Sequence, residues 1–229
     1  MSEVQVWLIP TSQPRPRYDE LFQLLDAGER ERAGAIIAPG RQQQFVIAHG
    51  AVRQLLGALL EVEPASLRWS FGPHGKPELL GGGLHCNLSH SGGLATLAVS
   101  SERPVGVDVQ QVRRDVDPAR LAVRYYPPNE AYSVISAADP AARFAQLWSR
   151  KEACVKVGGG RLIPSLRWPG TGDEITGPAS SYHVHDLDVP NGFHGAVAAA
   201  GSAPFRLVPG WWEPSTQTVR PQIPDPIVV

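Results

Sequence analysis

Apolar side chains recur at three- and four-residue steps through Phe144, Leu147, Trp148 and Val155, in a stretch without proline or glycine, and that period predicts a helix. The glycines Gly158 to Gly160 are its stop, because glycine enters the left-handed conformation that closes a helix. Ser149, Glu152 and Lys156 share one flank of this helix with Trp148 just behind, and Glu152 and Lys156 lie about 6 Å apart along the axis. A second helix runs from about Arg41 to Leu60, with Phe45, Ala48, Val52, Leu55, Leu56 and Leu59 as its apolar stripe. Tyr18–Leu25 reads as a short helix, and another starts near Glu130, capped by Asn129 or a neighbour and separated from the signature helix by Ala137–Pro140. Val4–Ile9 and Trp69–Phe71 are predicted strands. Leu84–Ser89 and Leu94–Val99 form a hairpin, with Ser89 and His90 at its connection. In Val105–Gln110 the alternation places Val105, Val107 and Val109 on one face and Asp108 and Gln110 on the other. Leu162–Trp168 and Tyr182–Val184 read as strands or loops, and Trp211 and Trp212 pin a proline-rich tail, 209–229, onto the body.

The chemistry suggested by these elements is anionic on one side and cationic on the other. Glu152 and Lys156 alone would be an ordinary surface ion pair. Asp108 changes that reading, since a carboxylate on a valine-rich strand is costly to bury without a positive partner. Asp108 and Glu152 together would make an oxygen site for a hard divalent cation. Arg30, Arg32, Arg41 and Arg53 form a basic group whose planar forks suit phosphate oxygens. Lys76 stands in a loop stiffened by Pro77, and Ser89 and His90 offer a hydroxyl and an imidazole beside glycines. Glu130 is a weaker candidate for a metal shell, and a surface position is the plainer expectation for it.

Composition narrows the class. The chain has 229 residues, 42% of them hydrophobic, and a formal net charge of −1, which fits a globular protein of one or two domains and not a dedicated nucleic-acid binder. Cys86 and Cys154 make no disulfide framework and are expected as buried thiols, in keeping with a reducing compartment. There is no secretion signal and no apolar run long enough to span a membrane, so a cytoplasmic location is expected.

Trp148-Ser149-Arg150-Lys151-Glu152-Ala153 with Lys156, and Val105-Gly106-Val107-Asp108-Val109 before it, resemble the two signatures of the surfactin-synthetase-type 4′-phosphopantetheinyl transferases. Asn87–Gly92 and Gly75–Leu79 are similar to that family's upstream elements, so the likeness covers about Arg41 to Gly160. The resemblance implies an α+β fold of two similar α/β lobes related by a pseudo-twofold axis, with the active site in the cleft between them. On this chain the lobes would be 1–103 and 104–208, followed by the tail; the likeness of Asn87–Val99 to Asn191–Ala199 is a faint echo of such a duplication. It implies transfer of the phosphopantetheine arm of coenzyme A to a serine of an apo acyl or peptidyl carrier protein, with Mg2+ as cofactor and the chain acting as a monomer. Asp108 and Glu152, with Gln110, would hold the metal; Glu152 would act as base and Lys156 would assist the leaving group. Arg41, Arg53, Lys76, Ser89 and His90, together with Asp108, Glu152 and Lys156, would hold coenzyme A, Lys76 being placed at its 3′-phosphate. Tyr125 and Tyr126 would pack the lobes or touch the carrier.

Two departures from the family pattern stand out. Gln110 occupies a position where many members carry glutamate, and glutamine brings a neutral oxygen without charge or proton affinity. Arg161 stands near a position where relatives often have glycine. The alternatives are a binding module that recognises carrier proteins or coenzyme A without transfer, and a carboxylate–metal phosphohydrolase. The second leaves Lys76, Ser89 and His90 without a role.

Overall fold

The structure is a computed structural model that describes residues 1–72, 74–81, 83–160, 162–177 and 180–213; Arg161 and the end of the predicted tail, 214–229, lie outside the described residues. The elements, in chain order, are β1 (Ser2–Pro10), α1 (Arg15–Leu24), α2 (Ala27–Ala35), α3 (Pro39–Leu60), β2 (Trp69–Phe71), β3 (Pro77–Leu79), β4 (His85–Ser91), β5 (Leu94–Ser100) and β6 (Val105–Gln111). They continue with α4 (Pro118–Tyr125), α5 (Pro128–Ile135), α6 (Pro140–Gly158), α7 (Leu162–Ser165), β7 (Glu174–Thr176), β8 (Ser181–Leu187), β9 (Phe193–Ala200) and β10 (Phe205–Trp211).

A first four-stranded sheet has the order β10-β1-β5-β4 and a second the order β6-β9-β8-β7, while β2 and β3 form a separate hairpin. Helix α3 covers the first sheet, where Ile47, Ala51, Leu55 and Leu56 pack with Ile9, Leu97 and Val99 in one core. Helix α6 lies on β6 and β9, and Gly106 explains how closely. A methyl group there would press into the Ala153 carbonyl and the Val157 amide, so the strand meets the helix backbone where a side chain has no room. Val4, Val6 and Ala98 of the first sheet share a further core with Val105, Val107, Val197 and Ala199 of the second.

The two sheets are stitched along one edge. The Val107 amide donates to Asn87 Oδ1 at 2.8 Å, the Val109 amide to Ser89 Oγ at 3.4 Å and the Gln111 amide to Ser91 Oγ at 3.0 Å. Alternate side chains of β4 thus satisfy the outward amides of β6, which an edge strand would otherwise leave open. This seam sets β4 against β6 in fixed register, and Ser89 and Asp108 both stand on it.

The structure differs from the sequence expectations in definite places. Residues 28–32, expected only as a charged segment, belong to α2; Asp26 and Glu29 form its capping box, while the helix buries little besides Glu29 and Ala33, so no apolar period announces it. Helix α4 follows an Asp117 cap with proline in its first turn. Within Leu162–Trp168 the chain forms α7, not a strand. The signature helix begins at Pro140 under an Asp139 cap, so Phe144 is already inside it. Its end is the expected one, with Gly159 at φ 66°.

The expected boundary at 208 falls inside β10, which runs parallel to β1 and so belongs to the first sheet. Trp212 is buried, donating from its backbone to Leu8 and from its indole to Gln54, whereas Trp211 is half exposed. Cys86 and Cys154 are both free and buried. No helix among the described residues is long and apolar enough to cross a membrane.

Candidate active site

On β6, Asp108 is fully buried, and its carboxylate is met from three directions. Ser89 Oγ donates to Oδ1 at 2.7 Å, Lys156 Nζ lies 2.6 Å from the same oxygen, and Gln110 Nε2 donates to Oδ2 at 2.7 Å. The Lys156 ammonium also donates to Ser89 Oγ at 2.9 Å and stands 3.6 Å from Glu152 Oε1. One cation therefore bridges an acid from the second sheet and an acid from α6, with a hydroxyl from the first sheet at its side. Trp148 lies one helical turn before Glu152 and donates its indole N–H to Oε2 at 2.5 Å. Burial, reinforced by the charge of Asp108, raises the proton affinity of Glu152 above that of an ordinary glutamate, against the opposing pull of Lys156 and Trp148.

Among the described residues no three acids, histidines or cysteines gather into a metal cage. What is present is two carboxylates that share one ammonium, with the Gln110 amide donating through its nitrogen to Asp108. That set fits a hard dication that takes its remaining ligands from water and a phosphorylated substrate.

Ser89 and His90 are consecutive on β4, not at the hairpin connection, so they face opposite ways. Ser89 turns to Asp108. His90 turns to a recess of about 180 Å³ bounded also by Arg32, His49, Trp69, Phe71 and Leu97. The surrounding protein lowers the His90 pKa, and so do His49, Lys156 and Arg41, with Asp108 acting the other way. Arg32 rests over the Phe45 and Phe71 rings.

The sequence that builds this site has relatives. The chain is 35% identical over 164 residues to 4′-phosphopantetheinyl transferase HetI of Nostoc sp., covering 69% of each protein. The chain belongs to the 4′-phosphopantetheinyl transferase superfamily. A profile of that superfamily matches residues 104–191, from the start of β6 through α6 and β8 to just before β9. The chain is also 36% identical over 130 residues to 4′-phosphopantetheinyl transferase AcpT of Salmonella typhimurium, covering 55% of this chain and 66% of that one. It is 27% identical over 146 residues to 4′-phosphopantetheinyl transferase ffp of Bacillus subtilis, covering 62% and 63%.

Not every residue expected at a transferase site is found there. Arg53 lines neither recess nor seam; its guanidinium is completely buried, held by Glu29 at 2.6 Å, Asp26 at 2.7 Å and the Pro64 and Leu67 carbonyls. Every edge of the fork is occupied within the protein. Arg30 turns to the Gln23 carbonyl. Lys76 does not line the recess; it donates to the Val157 carbonyl at 2.6 Å and the Val105 carbonyl at 3.2 Å. It thereby ties the hairpin loop to the end of α6 and the start of β6, where a larger cavity of about 470 Å³ opens; burial lowers its pKa, and Cys86 and Glu78 act in the other direction.

Glu130 is not at the surface, contrary to the plainer expectation for it. It is fully buried and pairs with Lys151 at 2.6 Å, while the Gly170 amide donates to its other oxygen. Lys151, next to Glu152, also donates to the Trp168 carbonyl and stands over the Tyr126 ring. Tyr126 is accordingly part of this core, its hydroxyl bonded to the Phe144 carbonyl. Two residues that sequence reasoning passed over are His49 and Lys151. His49 carried a usable signal, since it stands four residues from both Phe45 and Arg53 on the same helix.

Proposed function

We propose that this chain moves the 4′-phosphopantetheine arm of coenzyme A onto a serine hydroxyl of an apo acyl or peptidyl carrier protein, releasing adenosine 3′,5′-bisphosphate. The observation that carries the reading is the meeting of Asp108 and Glu152 on one ammonium, beside a serine from the other sheet. The carrier supplies the nucleophile, so the chain must bind charge and remove one proton.

Asp108 and Glu152, with the Gln110 amide turned to present its oxygen, are the groups that would hold Mg2+. When bound, the ion lowers the charge on the pyrophosphate as a Lewis acid. Lys156 pairs with the phosphate that departs with the nucleotide, while Ser89 donates to the same pyrophosphate. The serine oxygen of the carrier bonds to the phosphorus that bears the pantetheine, and the bond from that phosphorus to the bridging oxygen breaks. Glu152 receives the serine proton, directly or through a water.

The chain acts in this reading as a surfactin-synthetase-type member, a holo-[acyl-carrier-protein] synthase working as a cytoplasmic monomer. Two four-stranded sheets, each with one long helix and joined at a seam, support a pseudo-twofold pair of lobes with its cleft along that seam. The acceptor is a fatty-acid, polyketide or non-ribosomal-peptide carrier. Gln110 favours a second reading, a binding module without transfer, because it removes one negative charge from the site. Incubating the purified chain with coenzyme A, Mg2+ and an apo carrier of each type separates the two. The transferase adds the mass of one phosphopantetheine arm to at least one carrier; a stable complex with no mass change on any carrier overturns the proposal.

A further inference from the structure

We propose that the Lys156 ammonium holds the place of the divalent cation in the free protein, so that the ion binds weakly until a pyrophosphate draws the lysine away. The inference rests on the transferase reading for the identity of the ion and of the phosphate ligand. The competition itself follows from the side chains.

Both oxygens of Asp108 are already claimed by donors. Ser89 Oγ and Lys156 Nζ meet Oδ1 at 2.7 Å and 2.6 Å, and Gln110 Nε2 meets Oδ2 at 2.7 Å. On the helix side, Glu152 Oε2 accepts the Trp148 indole N–H, which leaves Oε1 to face Lys156 at 3.6 Å. The ammonium therefore stands between the two acids, where a metal shared by them would stand. A dication and an ammonium cannot occupy that place together, since each claims the same oxygens and like charges repel strongly at contact distance.

Of the two partners, Lys156 is the one that can yield. Asp108 is fully buried on β6, at the seam where that strand is stitched to β4. The Lys156 side chain is 24% exposed, and its charge rides on a flexible four-carbon stem. A pyrophosphate offers new acceptors to that ammonium and to the Ser89 hydroxyl, so both can leave Oδ1 without losing a bond to an anion. Gln110 adds a second catch. Its amide donates to Oδ2, as a glutamate carboxylate could not, and it must turn before its oxygen can face a cation. Ion and ligand then bind with positive coupling, and linkage requires each to tighten the other by the same factor.

Calorimetric titration of the purified chain with Mn2+, alone and with saturating coenzyme A, tests this without turnover. The second titration is corrected for Mn2+ taken up by free coenzyme A. Mn2+ alone should bind Lys156→Met at least about tenfold more tightly than wild type, as removal of one charge-assisted competitor implies. Coenzyme A should tighten Mn2+ binding to wild type by at least that factor. It should do markedly less in the variant, which keeps only the coupling due to phosphate oxygens on the ion. The gain from Lys156→Met should persist in about 1 M KCl, where the field of a charge that is merely nearby is screened within roughly 3 Å. A variant no tighter than wild type for Mn2+ alone, or a gain that vanishes in high salt, overturns the proposal and leaves the transferase reading standing. Carrier left unmodified while the coupling is intact would strike that reading and leave this one.

Discussion

Asp108→Asn is expected to slow carrier modification by roughly a hundredfold to a thousandfold, the loss typical of removing one electrostatic group from a charged transition state. Asparagine keeps the shape of the side chain and an oxygen for Ser89 or Lys156, so the seam between β4 and β6, built from Asn87, Ser89 and Ser91, remains. What goes is the negative charge that meets Lys156 at 2.6 Å and that, with Glu152, would hold the metal. Glu152→Gln should cost a similar factor, because it removes both a carboxylate and the proton acceptor. The rate is read from the intact mass of the carrier over time, with thermal unfolding as the control for fold. Wild-type turnover in Asp108→Asn, at unchanged melting temperature, would contradict the metal-site argument.

The other large effect is on stability. Glu130→Gln is expected to destabilise the fold by about 3–5 kcal/mol, because it leaves the Lys151 ammonium buried without a countercharge. Both partners are essentially inaccessible to solvent, and the pair joins α5 to α6 while the Gly170 amide and Trp168 carbonyl complete the network. Removing both charges together, in Glu130→Gln/Lys151→Met, should recover much of the loss, since well-packed neutral residues avoid the desolvation cost of the ions. Urea unfolding of the three proteins decides it. A single variant as stable as wild type, or a double variant no better than the single one, would show that the pair does not carry this load.

The parts legible in the sequence were those with a strong local period or a fixed chemical order. The apolar steps of α3 and α6 and the alternation of β6 were readable because each element buries one face. The glycine stop of α6 was readable for a similar local reason. Helix α2 was not, because it contributes so little to the core that its charges hide it. Strand β10 was missed because its partner β1 lies at the other end of the chain, and parallel pairing at that separation leaves no local mark.

The candidate site divides in the same way. Asp108, Glu152 and Lys156 stand out by motif; their periods give each a face of its own strand or helix, and only the fold brings those faces together. Arg53 could not be placed, since a helical arginine looks the same in sequence whether it binds phosphate or, as here, two carboxylates and two carbonyls. Lys76 is a similar case: a loop lysine gives no sign that it will seek the open carbonyls at the end of α6. Glu130 looked exposed because its partner, Lys151, is 21 positions later and was masked by the signature around it.

The central claim is that one divalent cation sits between acids from two different elements. Crystals grown with coenzyme A and Mn2+, measured at the manganese absorption edge, test it most directly. The account predicts an anomalous peak within coordination reach of both the Asp108 and Glu152 carboxylates, with the pyrophosphate against Lys156. Coenzyme A bound with its pyrophosphate away from Lys156, or with no peak between those two acids, would contradict it.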